Sequence, residues 1–317
     1  MSFGTIHVAG NFDDEVASES LERAMRNKEK QRVVDILVHI CNSQRQMIRT
    51  PYKVRYGKDL EDELKKTLNG ELEEVIVALV QTPTKLDVLE LHRAVKGLGT
   101  NEKVLIEILV SRTNEEMEAI RNCYFTTYGK SLEDAVSSDT SGDFRRLLLI
   151  LIQGRKDETE RTVIFRAQED AQHMVKSLEK KSGIDKFDAF KVLGTSNAHH
   201  VRHVSSEFER LTGTPLEKAI EKEYSGDMRN LLQALLLVSH GKPRFFANQI
   251  HLATKGLGTR DKDLIRVLVG RSEIDLAQIV ELYHVFYKKS LYELIKEECK
   301  GGYRDALMTI IKGNRIH

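Results

Sequence analysis

Apolar residues along this chain recur at three- and four-residue spacing rather than alternating, the period of helices that bury one face. The pattern is clearest from Asp87 onward. A helix is predicted near Asp87 to Lys96, broken at Gly97 to Thr100 and resumed over Asn101 to Ser111, where Val104, Leu105, Ile108 and Leu109 share one face. A third is predicted over Asn114 to Tyr128, a fourth from Leu132, and a fifth from Phe144 after the turn and cap Thr140-Ser-Gly-Asp. Five short helices thus make one unit.

That unit recurs. Lys-Gly-Leu-Gly-Thr occurs at Lys96 to Thr100 and again at Lys255 to Thr259, each time after an amphipathic run with an in-phase histidine, His92 or His251. A glycine opening an apolar helical run stands at Gly70, Gly142, Gly226 and Gly301, spaced by 72, 84 and 75 residues. Leu60, Leu132, Leu216 and Leu291 repeat the same offsets ten residues earlier. Four units of roughly 70 residues are each too small to bury much core alone, so they are expected to pack together. The polar stretch Gln153 to Thr162 has no periodicity and reads as a linker joining two halves.

Composition narrows the class further. Four prolines, no tryptophan and 31% charged residues in 317 agree with an all-α fold containing few helix breakers. A net charge of +1 excludes a strongly polybasic chain, so no nucleic-acid partner is expected. Cys41, Cys123 and Cys299 fall at different positions within their repeats and are odd in number, which argues against a disulfide framework and for a reducing compartment. No apolar run is long enough to span a bilayer, and Met1 to Glu15 lacks the features of a signal peptide. A cytoplasmic location is expected. Nucleophile-elbow, P-loop and dinucleotide fingerprints are all missing, so no enzyme activity is expected.

The glycine pairs carry the candidate chemistry. Two glycines between helices permit positive φ, which lets successive carbonyl oxygens turn toward one point. Such oxygens suit calcium, provided a carboxylate arrives from elsewhere. Forty residues after the second loop glycine stand Asp139 and Glu298, each three residues before a landmark glycine. On spacing alone the alternative stays open that the glycines merely end one helix and start the next. His199 and His203 form an i, i+4 pair beside His200 that could grip zinc, but no third ligand accompanies them, and a solvated or packed helix face is the better reading.

Lys-Gly-Leu-Gly-Thr, followed by Ile108 to Thr113 or Val267 to Leu276, together with Tyr128 to Glu133 and Asp139 to Phe144, resembles the annexin family over nearly the whole chain, from Asn11 to Gly313. The resemblance implies an all-α fold of four five-helix repeats, at residues 14–85, 86–157, 167–243 and 245–316, packed as a curved disc. It further implies calcium sites on the convex face that bridge to anionic phospholipid membranes. The implied ligands are Gly97, Gly99 and Asp139 in the second repeat, with Val95 giving a carbonyl where the family usually has methionine. In the fourth they are Gly256, Gly258 and Glu298, with Thr254 in place of that methionine. Weaker positions are Thr100 with Glu102 and Thr259 with Asp261.

The other two repeats depart from the family pattern. The first loop, Ala24 to Gln31, is two residues short and has Thr67 at the acid position, so no site is expected there. The third has Leu178 where the family has an early glycine, although Lys181, Gly183 and Glu223 keep their places as weaker candidates; Ser182 stands where some members have tryptophan. Basic residues in the loops, Arg26, Lys28, Lys30, Lys96 and Lys255, are candidates for lipid contact, with Lys176, Lys180 and Lys181 clustered in loop three.

Two functions follow from different classes: calcium-dependent membrane binding that serves membrane organisation or trafficking, peripheral and recruited when calcium rises, or a calcium-insensitive helical scaffold for cytoskeletal or other protein partners. The core resemblance begins near Gly4, so no tail-docked EF-hand partner is expected.

Overall fold

The computed structural model describes residues 3–314 apart from 98, 180–182, 184 and 257, and all regular structure among them is helical. The first repeat comprises α1 (Asp14–Arg26), α2 (Lys30–Val38), α3 (Asn42–Tyr56), α4 (Leu60–Thr67) and α5 (Gly70–Val80). The second comprises α6 (Pro83–Val95), α7 (Glu102–Ser111), α8 (Asn114–Tyr128), α9 (Leu132–Asp139) and α10 (Gly142–Ile152). In the third, α11 (Ile164–Ser177) precedes a second helix split into α12 (Lys186–Phe190) and α13 (Val192–Thr195), then α14 (Ala198–Thr212), α15 (Leu216–Glu223) and α16 (Gly226–Ser239). The fourth comprises α17 (Lys242–Thr254), α18 (Asp261–Arg271), α19 (Leu276–Tyr287), α20 (Leu291–Glu298) and α21 (Gly301–Lys312). Five helices per repeat therefore hold except for that split. There Gly194 lets α13 sit against α10, with Leu147 Cδ1 only 3.0 Å from where a Cβ would stand.

Local chemistry explains the boundaries. Asp13, Asp59, Thr113, Ser131, Asn197 and Ser290 cap their helices by accepting from first-turn N–H groups. The long third helix ends on a left-handed residue in every repeat, Gly57, Gly129, Gly213 and, in the fourth, the non-glycine Lys288 at φ 58°.

The chain divides into two compact units, residues 1–86 with 246–317, and residues 87–245. The linker reading of Gln153 to Thr162 as a junction between two halves is therefore corrected, because it lies inside the second unit. Polar bonds tie it down: Asp157 N donates to Thr195 O (2.8 Å), Asn114 Nδ2 to Lys156 O (2.7 Å) and Asn197 Nδ2 to Arg161 O (2.9 Å).

In the first unit α5 packs on α18 and α21, and α2 on α21, around Val33, Leu37, Val75, Leu268 and Ile310. Thr5 secures the join by donating through Oγ1 to Ile310 O (2.7 Å) and accepting from Asn314 N (3.1 Å). In the second unit α7 packs on α16 and α10, around Leu105, Ile108, Leu147 and Leu235. Each such buried aliphatic side chain contributes about 1.5–3 kcal/mol.

Candidate functional site

The glycine loops of the second and fourth repeats share one construction. Asn101 N donates to Ala94 O across the base of the first, and Arg260 N to Ala253 O across the base of the second, both at 2.8 Å. Between those anchors Gly97 and Gly99 take φ of 126° and 95°, and Gly256 and Gly258 take 113° and 83°. No heavy atom lies within 4 Å of where a Cβ would stand on any of the four, so backbone conformation rather than crowding selects glycine.

Val95 and Thr254 are buried, and Thr254 Oγ1 donates back to Ile250 O (3.1 Å), so neither side chain is exposed at the loop. In the second repeat Arg112 grips Asp87 through two bonds of 2.6 and 2.7 Å, which clamps the end of α7 to α6 on the far side of the loop.

Each acid ends its repeat's fourth helix and is exposed. Threonine hydroxyls join the two segments across 39 residues of sequence. Thr100 Oγ1 donates to the main-chain oxygen of Asp139 (2.9 Å), and Thr259 Oγ1 to Glu298 Oε2 (3.2 Å). Glu102 and Asp261 follow as the first residues of α7 and α18. Loop glycines, threonine and acid are thus brought together in both repeats. The donor set consists of main-chain oxygens and a single carboxylate, which fits a hard cation such as calcium and not zinc. Among the described residues no group of three or more His, Cys, Asp or Glu side chains could hold a metal. A metal here would need the carbonyls.

Histidines support these loops from below. His92 stacks on Tyr128 at 3.6 Å between ring centroids and contacts Tyr124 Oη through Nδ1 (3.1 Å); His251 stacks on Tyr287 at 4.0 Å. Burial, reinforced by Lys96 or Lys255, lowers the pKa of each ring. Both serve as packing. His200 instead pairs with Asp170 (2.7 Å), and His199 with Arg202 (3.0 Å), so the histidine cluster on α14 does not converge on a common point.

The remaining loops are built differently. In the first repeat Glu29 N donates to Ala24 O (2.9 Å), spanning five positions where the glycine loops span seven, and Lys28 takes φ 60°. Thr67 Oγ1 turns back to Glu63 O (2.8 Å), Arg26 meets Glu22 (3.4 Å), and Lys30 Nζ donates to Asn69 Oδ1 (3.1 Å). In the third repeat Gly183 has φ 69° and Leu178 is the C-cap of α11, while Glu223 Oε2 accepts from Lys186 Nζ at 2.5 Å. Lys181, with Lys180 and Ser182, lies outside the described residues. The sequence reading missed Lys186. Comparing the first residue of each repeat's second helix would have found it.

A family model described as Annexin matches residues 16–79, 87–151, 169–235 and 245–310. Annexin A4 of Canis lupus familiaris is 41% identical over 314 residues, covering 98% of each chain. Annexin A11 of Homo sapiens is 41% identical over 315 residues; the match covers 99% of this chain, which spans 62% of that longer relative. A solved structure of annexin III superposes with a TM-score of 0.94 at 37% identity, covering 98% of both chains.

Proposed function

Because the chain belongs to the annexin family, whose members are non-enzymatic and bind phospholipid in a calcium-dependent way, we propose that it attaches to anionic membranes through the glycine loops of its second and fourth repeats. The observation that carries this reading is the doubled arrangement: a glycine loop closed by the same backbone bond and tied by a threonine hydroxyl to the acidic residue 39 positions on, at the main-chain oxygen of Asp139 in one repeat and at the carboxylate of Glu298 in the other.

Main-chain oxygens of Val95, Gly97 and Gly99 with Asp139 would hold one ion, and those of Thr254, Gly256 and Gly258 with Glu298 another. Bound calcium supplies a divalent charge whose remaining coordination positions accept phosphate or carboxylate oxygens of lipid headgroups. Thr100 with Glu102, and Thr259 with Asp261, are the weaker neighbouring positions. Lys96 and Lys255, both exposed in the loops, add direct attraction to those headgroups. Such attachment is peripheral, from the cytoplasmic side, and rises with calcium. Among the described residues no helix is long and apolar enough to cross a membrane.

One carboxylate per site makes calcium affinity without lipid weak, on the order of 10⁻⁴ to 10⁻³ M. By linkage, anionic lipid and calcium strengthen each other's binding by the same factor. A calcium titration with and without phosphatidylserine vesicles tests this. The midpoint is expected to fall steeply as the anionic fraction rises, and an identical midpoint in both conditions would rule the bridging reading out.

A further inference from the structure

The second helix of the four repeats opens with Lys30, Glu102, Lys186 and Asp261. The acids fall in the glycine-loop repeats and the lysines in the other two. Each lysine reaches the C-terminal end of its repeat's fourth helix, Lys30 Nζ to Asn69 Oδ1 two residues past it (3.1 Å) and Lys186 Nζ to Glu223 Oε2 at its last residue (2.5 Å). In the glycine-loop repeats the same two segments are joined by an uncharged hydroxyl, Thr100 to Asp139 or Thr259 to Glu298, and a neutral donor thus stands where the other repeats place a lysine. So the two classes of repeat make the same cross-tie, one with a neutral donor and the other with an ammonium.

We propose that Lys186 is a tethered cation that takes the place of calcium beside Glu223 and holds the third repeat in a calcium-refractory state, with Lys30 making the corresponding tie in the first. This rests on the calcium reading of the second and fourth repeats. Glu223 ends α15 just as Asp139 ends α9 and Glu298 ends α20, so it is the carboxylate that a third ion would need. An ammonium at 2.5 Å already satisfies it. The pair is partly exposed and by itself weak. Refractoriness comes from a second effect: even displaced from Glu223, the ammonium stays tethered to the start of α12, of which Lys186 is the first residue, and its charge repels a divalent ion arriving at Glu223. Lys30 has no carboxylate to release, since Thr67 occupies that position and Asn69 is neutral. Only the third repeat can therefore be reopened by one substitution.

Tyr224 supplies the readout. It follows Glu223 directly, donates through its hydroxyl to Lys186 O (3.4 Å) and packs edge-on against Phe190 at 5.2 Å between ring centroids, so a lanthanide held by Glu223 lies close to a fixed tyrosine. Terbium luminescence excited through tyrosine is titrated in the full chain carrying Asp139→Ala and Glu298→Ala, so that only the third repeat is read. Adding Lys186→Gln is expected to tighten terbium binding about tenfold, with calcium competing for the site and Glu223→Gln abolishing the gain. Lys186→Arg, which keeps the charge, is expected to stay as refractory as the lysine form. A titration unmoved by Lys186→Gln, a gain that survives Glu223→Gln, or an arginine form that binds like the glutamine form would each overturn the proposal. Calcium-dependent vesicle binding with Asp139, Glu298 and Lys186 intact is measured separately; its loss would sink the reading of the second and fourth repeats without touching the terbium result.

Discussion

The second and first repeats face the same geometric problem, turning the chain from one helix into the next, and meet it with opposite chemistry. In the second, seven positions separate the bonded ends, two glycines hold φ of 126° and 95°, and a hydroxyl ties the loop to an acid-bearing segment. In the first, five positions suffice, a lysine adopts the left-handed turn, and a second lysine makes the cross-tie to a neutral asparagine. The third and fourth repeats divide along the same line. The loops without the glycine pair are thus not merely eroded copies: where the acid or the glycines are missing, a side-chain ammonium makes the cross-tie instead.

The contrast breaks most directly at the acids. Changing both Asp139 and Glu298 to alanine removes the carboxylate proposed for each glycine loop, and calcium-dependent vesicle binding is expected to fall by on the order of 100-fold or more. Each single change weakens it by a smaller factor. Thr67→Ala is the control, since its hydroxyl turns back to bond Glu63 O within its own helix. Co-sedimentation across a calcium series distinguishes the cases; a Thr67→Ala loss as large as that of Asp139→Ala would mean that the first and second repeats are functionally alike.

A second test acts on backbone alone. Gly99 at φ 95° has open space where a Cβ would go, so Gly99→Ala adds no clash and costs only conformational strain, about 1–3 kcal/mol. That strain falls on the loop and is expected to weaken calcium binding at the second repeat roughly tenfold, with little effect on global unfolding because the loop can relax outward. Gly10→Ala, equally uncrowded and without a positive φ, should leave calcium binding unchanged. Isothermal calorimetry on the two variants checks both. Equal behaviour would show that the glycines end helices and nothing more.

What the chain discloses by itself divides along the same boundary. Gly97, Gly99, Gly256 and Gly258 were legible because a positive φ leaves a residue type as its trace, and the landmark glycines Gly70, Gly142, Gly226 and Gly301 likewise take φ near 60°, between 56° and 61°. The two-residue shortening of the first loop was legible by counting, and the backbone bonds reproduce it. The ties from Lys30 to Asn69 and from Lys186 to Glu223 were not, because a lysine in a charged stretch looks solvated until the partner, 39 or 37 residues away, is placed beside it. Nor was the pairing of repeats into units. Sequence adjacency favours a break at Gln153 to Thr162, whereas compactness joins the first repeat with the fourth and the second with the third. The split of the third repeat's second helix falls at Lys191, whose backbone angles stay helical (φ −59°, ψ −21°), so helical periodicity gives no sign of it.

The smallest expected effect sharpens the comparison from the other side. Lys28 holds a left-handed φ of 60° with a full side chain, in a loop where the second and fourth repeats use glycine. For an L-residue that conformation costs about 1–2 kcal/mol, while a glycine gives back part of the gain, about 0.5–1 kcal/mol, through the greater freedom of its unfolded chain. Lys28→Gly should therefore stabilise the protein by about 0.5–1 kcal/mol, which in a chain of this size raises the melting temperature by roughly 1–3 °C. The same change removes an exposed positive charge from the first loop without altering any glycine-loop residue. Calcium-dependent vesicle binding should stay as it was, while any attachment to strongly anionic vesicles in chelator at low salt should weaken slightly, since one basic residue near such a surface is worth about 1 kcal/mol and is screened within a Debye length of about 8 Å at physiological salt. Calorimetric melting together with vesicle binding in chelator separates the two effects. A lower melting temperature would mean that Lys28 is held in place by interactions that outweigh its backbone strain, and the first loop would then be a built structure in its own right and not a shortened copy of the second.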